Sequence, residues 1–538
     1  MASEFIAAAR GVATFPAPLK ALVAGVLTGL ALSAPSAYAT TYTVLSSNDA
    51  GPGSLRDAIA QANADSSPPA VVLIPSTVTG AITLSSGQLY IQHAMSVQGP
   101  GADQLTVSGS GISRVFQVST GAGDDVSISG LRIADGDVPF HSNGAGIASY
   151  DANLTLSNCI LDNNSAFNGS GGGIYAHGTL ARTVTLSSVT VQNNHAFSGG
   201  GIEINGASLN INASIVSGNH SSGGGVYGGG GLRMRGGSYS VITSTRVEGN
   251  FAETAGGGMQ IIGSELAIAD SQISGNKVWD GSGGGVYIEG GAMDMRRTLI
   301  QNNYAYRDGG GVQLLRSYSI SGNATILDST ISNNQSRIGY GGGIHVFNDG
   351  LSPVTFTNDT IYGNSALWGF GGGGGIHSAG GTGGAAVLTL ESSTVTGNAA
   401  YAGGGIISGG NPVTLHNSIV ANNMASAYVV YPDPDLQGSF TAAHNLIGDA
   451  GDAAFNTNAN IIGVDPLLGS LGDNGGPTPT LLPLDGSPVI DAGDGVGVPG
   501  ADQRGRPRPY GLAVDIGAVE WDDIIFRNGF EPFVAIIL

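Results

Sequence analysis

The segment Ile300-Gln301-Asn302-Asn303-Tyr304-Ala305-Tyr306-Arg307-Asp308-Gly309-Gly310-Gly311-Val312 holds one complete unit of a repeat. An aliphatic residue is followed three positions on by asparagine, then by a short loop, a glycine triplet and another apolar residue. The aliphatic-to-Asn pairing recurs from Leu161/Asn164 through Asn194, Asn219, Asn250, Asn276, Asn303, Asn334, Asn364 and Asn398 to Val420/Asn423, with a mean spacing of about 29 residues. Triplets follow the first nine asparagines, among them Gly199 to Gly201 before Ile202, Gly223 to Gly225 before Val226 and Gly373 to Gly375 before Ile376. Gly144-Ala145-Gly146-Ile147 is a degenerate first copy.

The residue before each repeat Asn is always Gly or Asn, as in Asn193, Gly218, Gly249, Asn302 and Gly363. These types tolerate positive φ, so every unit turns through a left-handed position at one place. Runs such as Val184 to Leu186 and Leu388 to Leu390 alternate or are β-branched, and no middle segment keeps helical apolar spacing for three turns. Short strands joined by equivalent turns at this period predict an all-β chain, a parallel β-helix in which each unit is one coil and the repeat Asn side chains stack as a ladder. A propeller blade needs about 40 residues or more, so the period excludes that fold.

Composition agrees. Of 538 residues 91 are glycine and only 11% are charged, yet 41% are hydrophobic, so the chain has enough apolar material for a long core and is not a disordered low-complexity chain. Residues 1–39 read as a secretory signal, with Arg10 and Lys20 before the apolar run Ala21 to Leu32 and an Ala37-Tyr38-Ala39 cleavage site. The sole cysteine, Cys159, excludes an intramolecular disulfide framework. A net charge of −20 disfavours nucleic acid as a partner and leaves cations, surface glycans or cell-surface proteins. Residues 40–140 form an N-terminal cap and first coils, within which Ser54 to Ala62 predicts a capping helix. Asp57 sits at the capping-box position, and Leu55, Ala58, Ile59 and Ala62 share one face. Residues 141–425 carry the repeats, residues 426–520 an irregular module rich in Pro and Asp, and residues 521–538 a tail.

The paired GGG-[IV] and [IV]-x-x-N signatures resemble right-handed β-helix proteins of the pectate-lyase-like superfamily, and in particular the repeats of chlamydial polymorphic outer membrane proteins. Asp465-Pro466-Leu467-Leu468, Asp473-Asn474-Gly475-Gly476-Pro477, Gly486-Ser487-Pro488-Val489-Ile490-Asp491 and Asp515-Ile516-Gly517-Ala518-Val519-Glu520 together resemble a choice-of-anchor domain. Ile525 to Glu531 resembles a short terminal signature of secreted gammaproteobacterial proteins. These resemblances imply export and an extracellular or surface location for a monomeric rod, and they imply no reaction.

Two functional readings follow. If the apolar residue after each triplet points inward, the next points outward. Tyr175, Glu203, Tyr227, Gln260, Tyr287, Gln313, His345 and His377 then make a polar-aromatic row suited to an extended glycan. Phe167, Phe197, Trp279, Tyr306, Trp368 and Tyr401 border it. This predicts a non-catalytic, adhesin-like binding rod. The alternative is a lyase or hydrolase acting on acidic polysaccharide, for which Asp280 and Asp308, in equivalent loops of successive coils, and the adjoining Arg307 are the best acid-base grouping. No cofactor motif is present. Calcium is a question only at Asp473 and its neighbours.

Overall fold

The computed structural model describes residues 39–521 except the short stretches 66–68, 122, 317–321, 349–351, 368–370, 381–387, 427–433 and 456–458. The expected secretory segment, Trp368 and the 525–531 signature lie outside the described residues. Strands stack coil upon coil into three parallel sheets of 27, 15 and 10 strands. In one coil, Val286–Glu289 and Met293–Arg296 lie in the first sheet, Leu299–Gln301 in the second and Tyr304–Ala305 in the third. Each pairs in register with the next coil: Val286 with Val312, Leu299 with Thr330, Tyr304 with Gln335. At ~4.8 Å per rung, the 15 strands of the second sheet span roughly 67 Å.

The inward positions form continuous aliphatic columns. Ile202, Leu232, Met259, Val286, Val312, Ile344 and Ile376, each next to a triplet, are all at most 2% exposed. Burying each such side chain contributes about 1.5–3 kcal/mol.

Three left-handed corners turn each coil of the repeat region. The pre-Asn position has φ between 55° and 66°, from Asn163 to Asn422, as its residue types predict. The first triplet glycine is the second corner, with φ of 63° at Gly309. The other two glycines of that triplet are excluded from substitution by close approach instead: a Cβ on Gly310 would lie 2.3 Å from Gly342 O, and one on Gly311 2.7 Å from Gly343 O. The third corner carries ordinary residues such as Ser188, Ala213, Ser244 and Arg297, with φ of 55°, 49°, 49° and 46°. Its left-handed backbone is held by the coils on either side.

The asparagine ladder is complete. Asn303 Nδ2 donates to Asn334 Oδ1 (2.9 Å) and to Ile273 O (3.0 Å), while Asn303 Oδ1 accepts the backbone N–H of Asn276 (2.9 Å). The pattern runs from Asn164 to Asn423 and ends on a carboxylate, where Asn423 Nδ2 donates to Asp435 Oδ1 (2.7 Å). A second ladder of side-chain oxygens, including Ser214, Thr245, Ser271 and Ser329, follows the third corner and takes backbone N–H groups of the preceding coil.

Helix Leu55–Ala64 forms where expected. The Ser54 hydroxyl accepts Asp57 N–H, Asp57 Oδ2 accepts Gly53 N–H (2.9 Å), and Leu55, Ala58, Ile59 and Ala62 are buried. The other end requires a correction, because the solenoid does not stop at residue 425. Leu436–Ala443 pairs with Ile406–His416, and Leu446–Ile447 pairs with Ile419–Ala421 and then Ile461–Ile462. The backbone register persists through these residues although the triplets are gone. The irregular module begins after Ile462 and folds back along the second sheet.

Candidate functional site

The third sheet builds an exposed face by alternation. Each repeat Asn points inward. The residue after it points out, the next is small and buried, and the third points out again. Ala166, Ala196, Ala252 and Ala305 fill the small inward site. His195, His220, Phe251, Lys277, Tyr304 and Gln335 are the first outward row, in one continuous register. Their rings follow one another along the axis, His195 tilted against His220 and Phe251 edge-on to it, both pairs 4.9 Å between centroids. Burial lowers the pKa of both histidines.

The second outward row includes Phe197, Ser222, Glu253, Trp279, Tyr306 and Arg337. Where the two rows meet the loops, a cleft of about 650 Å³ opens, lined by Glu253, Trp279, Asp280, Tyr304, Tyr306 and Arg337. Trp279 is 59% exposed. The Lys277 ammonium stands 5.3 Å from the Trp279 ring and 5.4 Å from Tyr304, and the Arg337 guanidinium 5.5 Å from Tyr306. The lining comes from successive coils, so the cleft runs along the rod. Aromatic faces flanked by charged donors and acceptors suit a ring-shaped polar ligand.

The row expected after the triplets exists, with one substitution. Tyr175 pairs with Glu203, Glu203 with Arg233, Arg233 with Gln260, and the line continues through Tyr287, Gln313, His345 and His377. Tyr227 is not in it. That coil contains two glycine runs, and only Gly229 to Gly231 occupies the corner, so Arg233 takes the place assigned to Tyr227, which sits in the loop at 42% exposure.

The row is also covered, where solvent exposure was expected. Loops between the third sheet and the triplets fold over it. Val226 O accepts from Arg233 Nη2 and Gln260 Nε2 (both 3.2 Å), and the Tyr340 ring stacks on His377 at 4.5 Å. Glu203 is fully buried, held by Ser198 Oγ (2.7 Å), Arg233 Nη1 (3.1 Å) and Arg235 Nε (2.9 Å). His345 Nδ1 meets Gln313 Oε1 at 2.9 Å. Burial lowers the pKa of His345 to about 4 and, with His345 beside it, that of His377 to about 3. Tyr287 remains half-buried, its hydroxyl pKa raised by burial and by Glu289.

The acid-base grouping does not converge. Arg307 Nη2 binds Asp280 Oδ1 at 3.1 Å, both side chains 58% exposed. Asp308 instead accepts Tyr340 N–H (2.8 Å) in the next coil. Asp280 alone of the three lines the cleft, with Glu253 on the neighbouring coil. In the module, Asp473 Oδ1 accepts Gly475 N–H (3.0 Å) in a turn. Among the described residues, no group of three or more His, Cys, Asp or Glu side chains is placed to hold a metal ion. Nor is any described helix long and apolar enough to cross a membrane.

No curated protein matches the chain. Among solved structures it is similar to the catalytic unit of an α-1,3-glucanase from Streptomyces thermodiastaticus (15% identity, 81% of this chain and 72% of that one, TM-score 0.40). It is also similar to pectate lyase Pel9A (13%, 90% and 97%, TM-score 0.30) and to tailspike protein 3 of bacteriophage CBA120 (11%, 78% and 57%, TM-score 0.33). The family model of the right-handed β-helix region matches residues 200–389. Parallel pairing continues on both sides of that region, from Ile147 to Ile462 with register shifts after Ala166 and after Ser408, and the fold is a right-handed parallel β-helix.

Proposed function

We propose that this chain is a secreted or surface-displayed rod that binds an extended glycan without turning it over, and that the third-sheet cleft is the binding site. The observation that carries this reading is the pair of half-exposed outward rows converging, at the exposed Lys277, Trp279 and Arg337, on an aromatic-lined cleft of about 650 Å³. The resemblance of residues 1–39 to a secretory signal, and of the C-terminal motifs to an anchor domain, supports the location. The test is a glycan array and insoluble-polysaccharide pulldown with residues 40–538, comparing the wild type with Trp279→Ala and Tyr306→Ala. Removing a central aromatic anchor is worth about 2 kcal/mol, or some thirtyfold in affinity. Binding that survives both substitutions overturns the assignment to this cleft, and a blank array overturns glycan binding itself.

A second reading keeps a hydrolase in view, because Asp280 and Glu253 project into the same cleft from neighbouring coils. Release of reducing sugar from any polymer, abolished by Asp280→Ala, would establish it.

A further inference from the structure

The C-terminal module lies against the last coils through a polar seam. Gln503, 1% exposed, inserts its amide between coils: Nε2 donates to Ser329 O (3.0 Å) and Thr330 Oγ1 (2.9 Å), and Oε1 accepts from Thr360 Oγ1 (2.6 Å). Ala518 N–H donates to Thr394 Oγ1 (3.1 Å), and Gly517 N–H donates to Asn417 O (2.7 Å). Gly517 must be glycine here, because its φ is 106° and a Cβ would lie 2.6 Å from Ile419 Cδ1. Val489 and Ile516 of the module pack with Ile419, Ala421 and Leu446 of the rod. The segment that resembles an anchor domain is thus committed to its own solenoid.

At one end of this seam the contact is ionic and titratable. Asp494 is tied to the rod by its backbone, which exchanges hydrogen bonds with the Asn417 side chain (2.7 and 2.8 Å). Its carboxylate lies 3.6 Å from His416 Nε2 and 4.0 Å from His444 Nε2, the two rings 6.0 Å apart. Among the described residues these imidazoles are its only ion contacts, and His416 is the nearer. The remaining charged group facing His416 is Glu391 on the preceding coil, 2.9 Å from Nδ1. Farther along the seam, Asp328 of the rod and Asp502 of the module repel each other.

We propose that residues 464–521 are a clasp on the last coils, tightened when His416 is protonated against Asp494 and loosened when it is neutral. With His416 neutral, the Glu391 and Asp494 carboxylates face it without a positive charge between them. The pKa of His416 is raised, first by its hydrogen bond to Glu391 on the rod and further by Asp494 of the module, and the Asp494 part is lost when the module lifts away. A raised folded-state pKa gives a stabilisation present in full below the unfolded value of about 6.5 and lost as pH rises through the folded value. Asp515, inside the module, is raised to about 6 by burial and titrates in the same direction, so the histidine signature is read above pH 6.5.

The experiment is hydrogen exchange of residues 40–538 between pH 6.5 and 8.5, corrected for intrinsic rates. Opening of the 500–520 segment should rise severalfold in the wild type, while coils 200–300 stay constant. His416→Gln and Asp494→Asn, the latter keeping both backbone bonds to Asn417, should each flatten the rise. A wild-type chain without the rise, or either variant retaining it, overturns the clasp as a pH-set device.

Discussion

The covered row on the first sheet and the open rows on the third are made from similar residues, polar or aromatic side chains repeating once per coil and pointing away from the core. Their fates differ because of the loops between them. Over the first sheet, Val226 to Gly228 and Tyr340 lie down on the row, so Glu203 pairs with Arg233 and the histidines are buried beneath the Tyr340 ring. Over the third sheet the same loops rise from the edge and leave Trp279 and Lys277 in solvent. Outward direction is a property of the strand, and exposure is a property of what the neighbouring loop does.

The sharpest way to break the comparison is to remove one charge from the seam. Glu203→Ala leaves Arg233, 4% exposed, without its carboxylate, and breaking a buried pair in this way costs about 3–5 kcal/mol. Thermal or urea melting should show that loss, whereas Trp279→Ala in the groove should move stability by less than about 0.5 kcal/mol and act on binding alone. Comparable losses from both would mean the groove is structural.

Beneath both rows runs the asparagine ladder. Asn303→Ala strands the Asn276 N–H and the Ile273 carbonyl, a loss of about 1–3 kcal/mol. Because Asn303 stands directly before Tyr304, this change should lower stability and ligand affinity together. Affinity unchanged in the still-folded variant would show that the groove does not depend on the ladder's order.

The two ends of the histidine series should answer pH with opposite sign. His345 and His377 have depressed folded-state values of about 4 and about 3, so their neutral forms give stability that is full above about 6.5 and lost as pH falls toward those values. The clasp tightens over the acid side of its own range. Urea melts of the whole chain at pH 7 and pH 4.5 should show the seam's loss, and His377→Phe should lessen it. Among the described residues His377 Nδ1 has no hydrogen-bond partner to lose. An equal loss in that variant would remove the seam histidines as its cause.

Much of this architecture was legible from residue spacing, because a solenoid repeats its local chemistry. The pre-Asn corners, the ladder and the capping helix each follow from residue types at fixed positions. The corner occupied by Ser188, Ala213 and Arg297 was hidden, since those residues enter the left-handed region only when adjacent coils hold them there. Tyr227 was misassigned because a glycine run in a long loop looks like a corner. Trp279 and Tyr306 were visible as a border set, but Lys277 and Tyr304 were missed. The signal was present in the alternation that restarts after each inward Asn, with Ala, Ser or, in the Lys277 coil, Val278 marking the inward step between two outward ones. Loop cover, and a module docked through Gln503 on Thr330 some 173 residues away, are tertiary facts with no local trace.

The smallest expected effect concerns the Asp280–Arg307 pair, and it separates the two functional readings. Both side chains are 58% exposed, and pairs so solvated contribute between nothing and about 1 kcal/mol. Asp280→Ala should therefore leave melting within about 0.5 kcal/mol of the wild type, although the residue lines the cleft beside Glu253. That near-silence in stability makes it a clean probe of the site. Under the binding reading the variant keeps a measurable affinity, reduced by at most a hydrogen bond to the ligand, and neither protein releases sugar. Under the hydrolase reading the wild type releases sugar and the variant does not, while its binding persists. The outcome rests on turnover alone, because neither fold nor affinity is expected to change enough to confuse it.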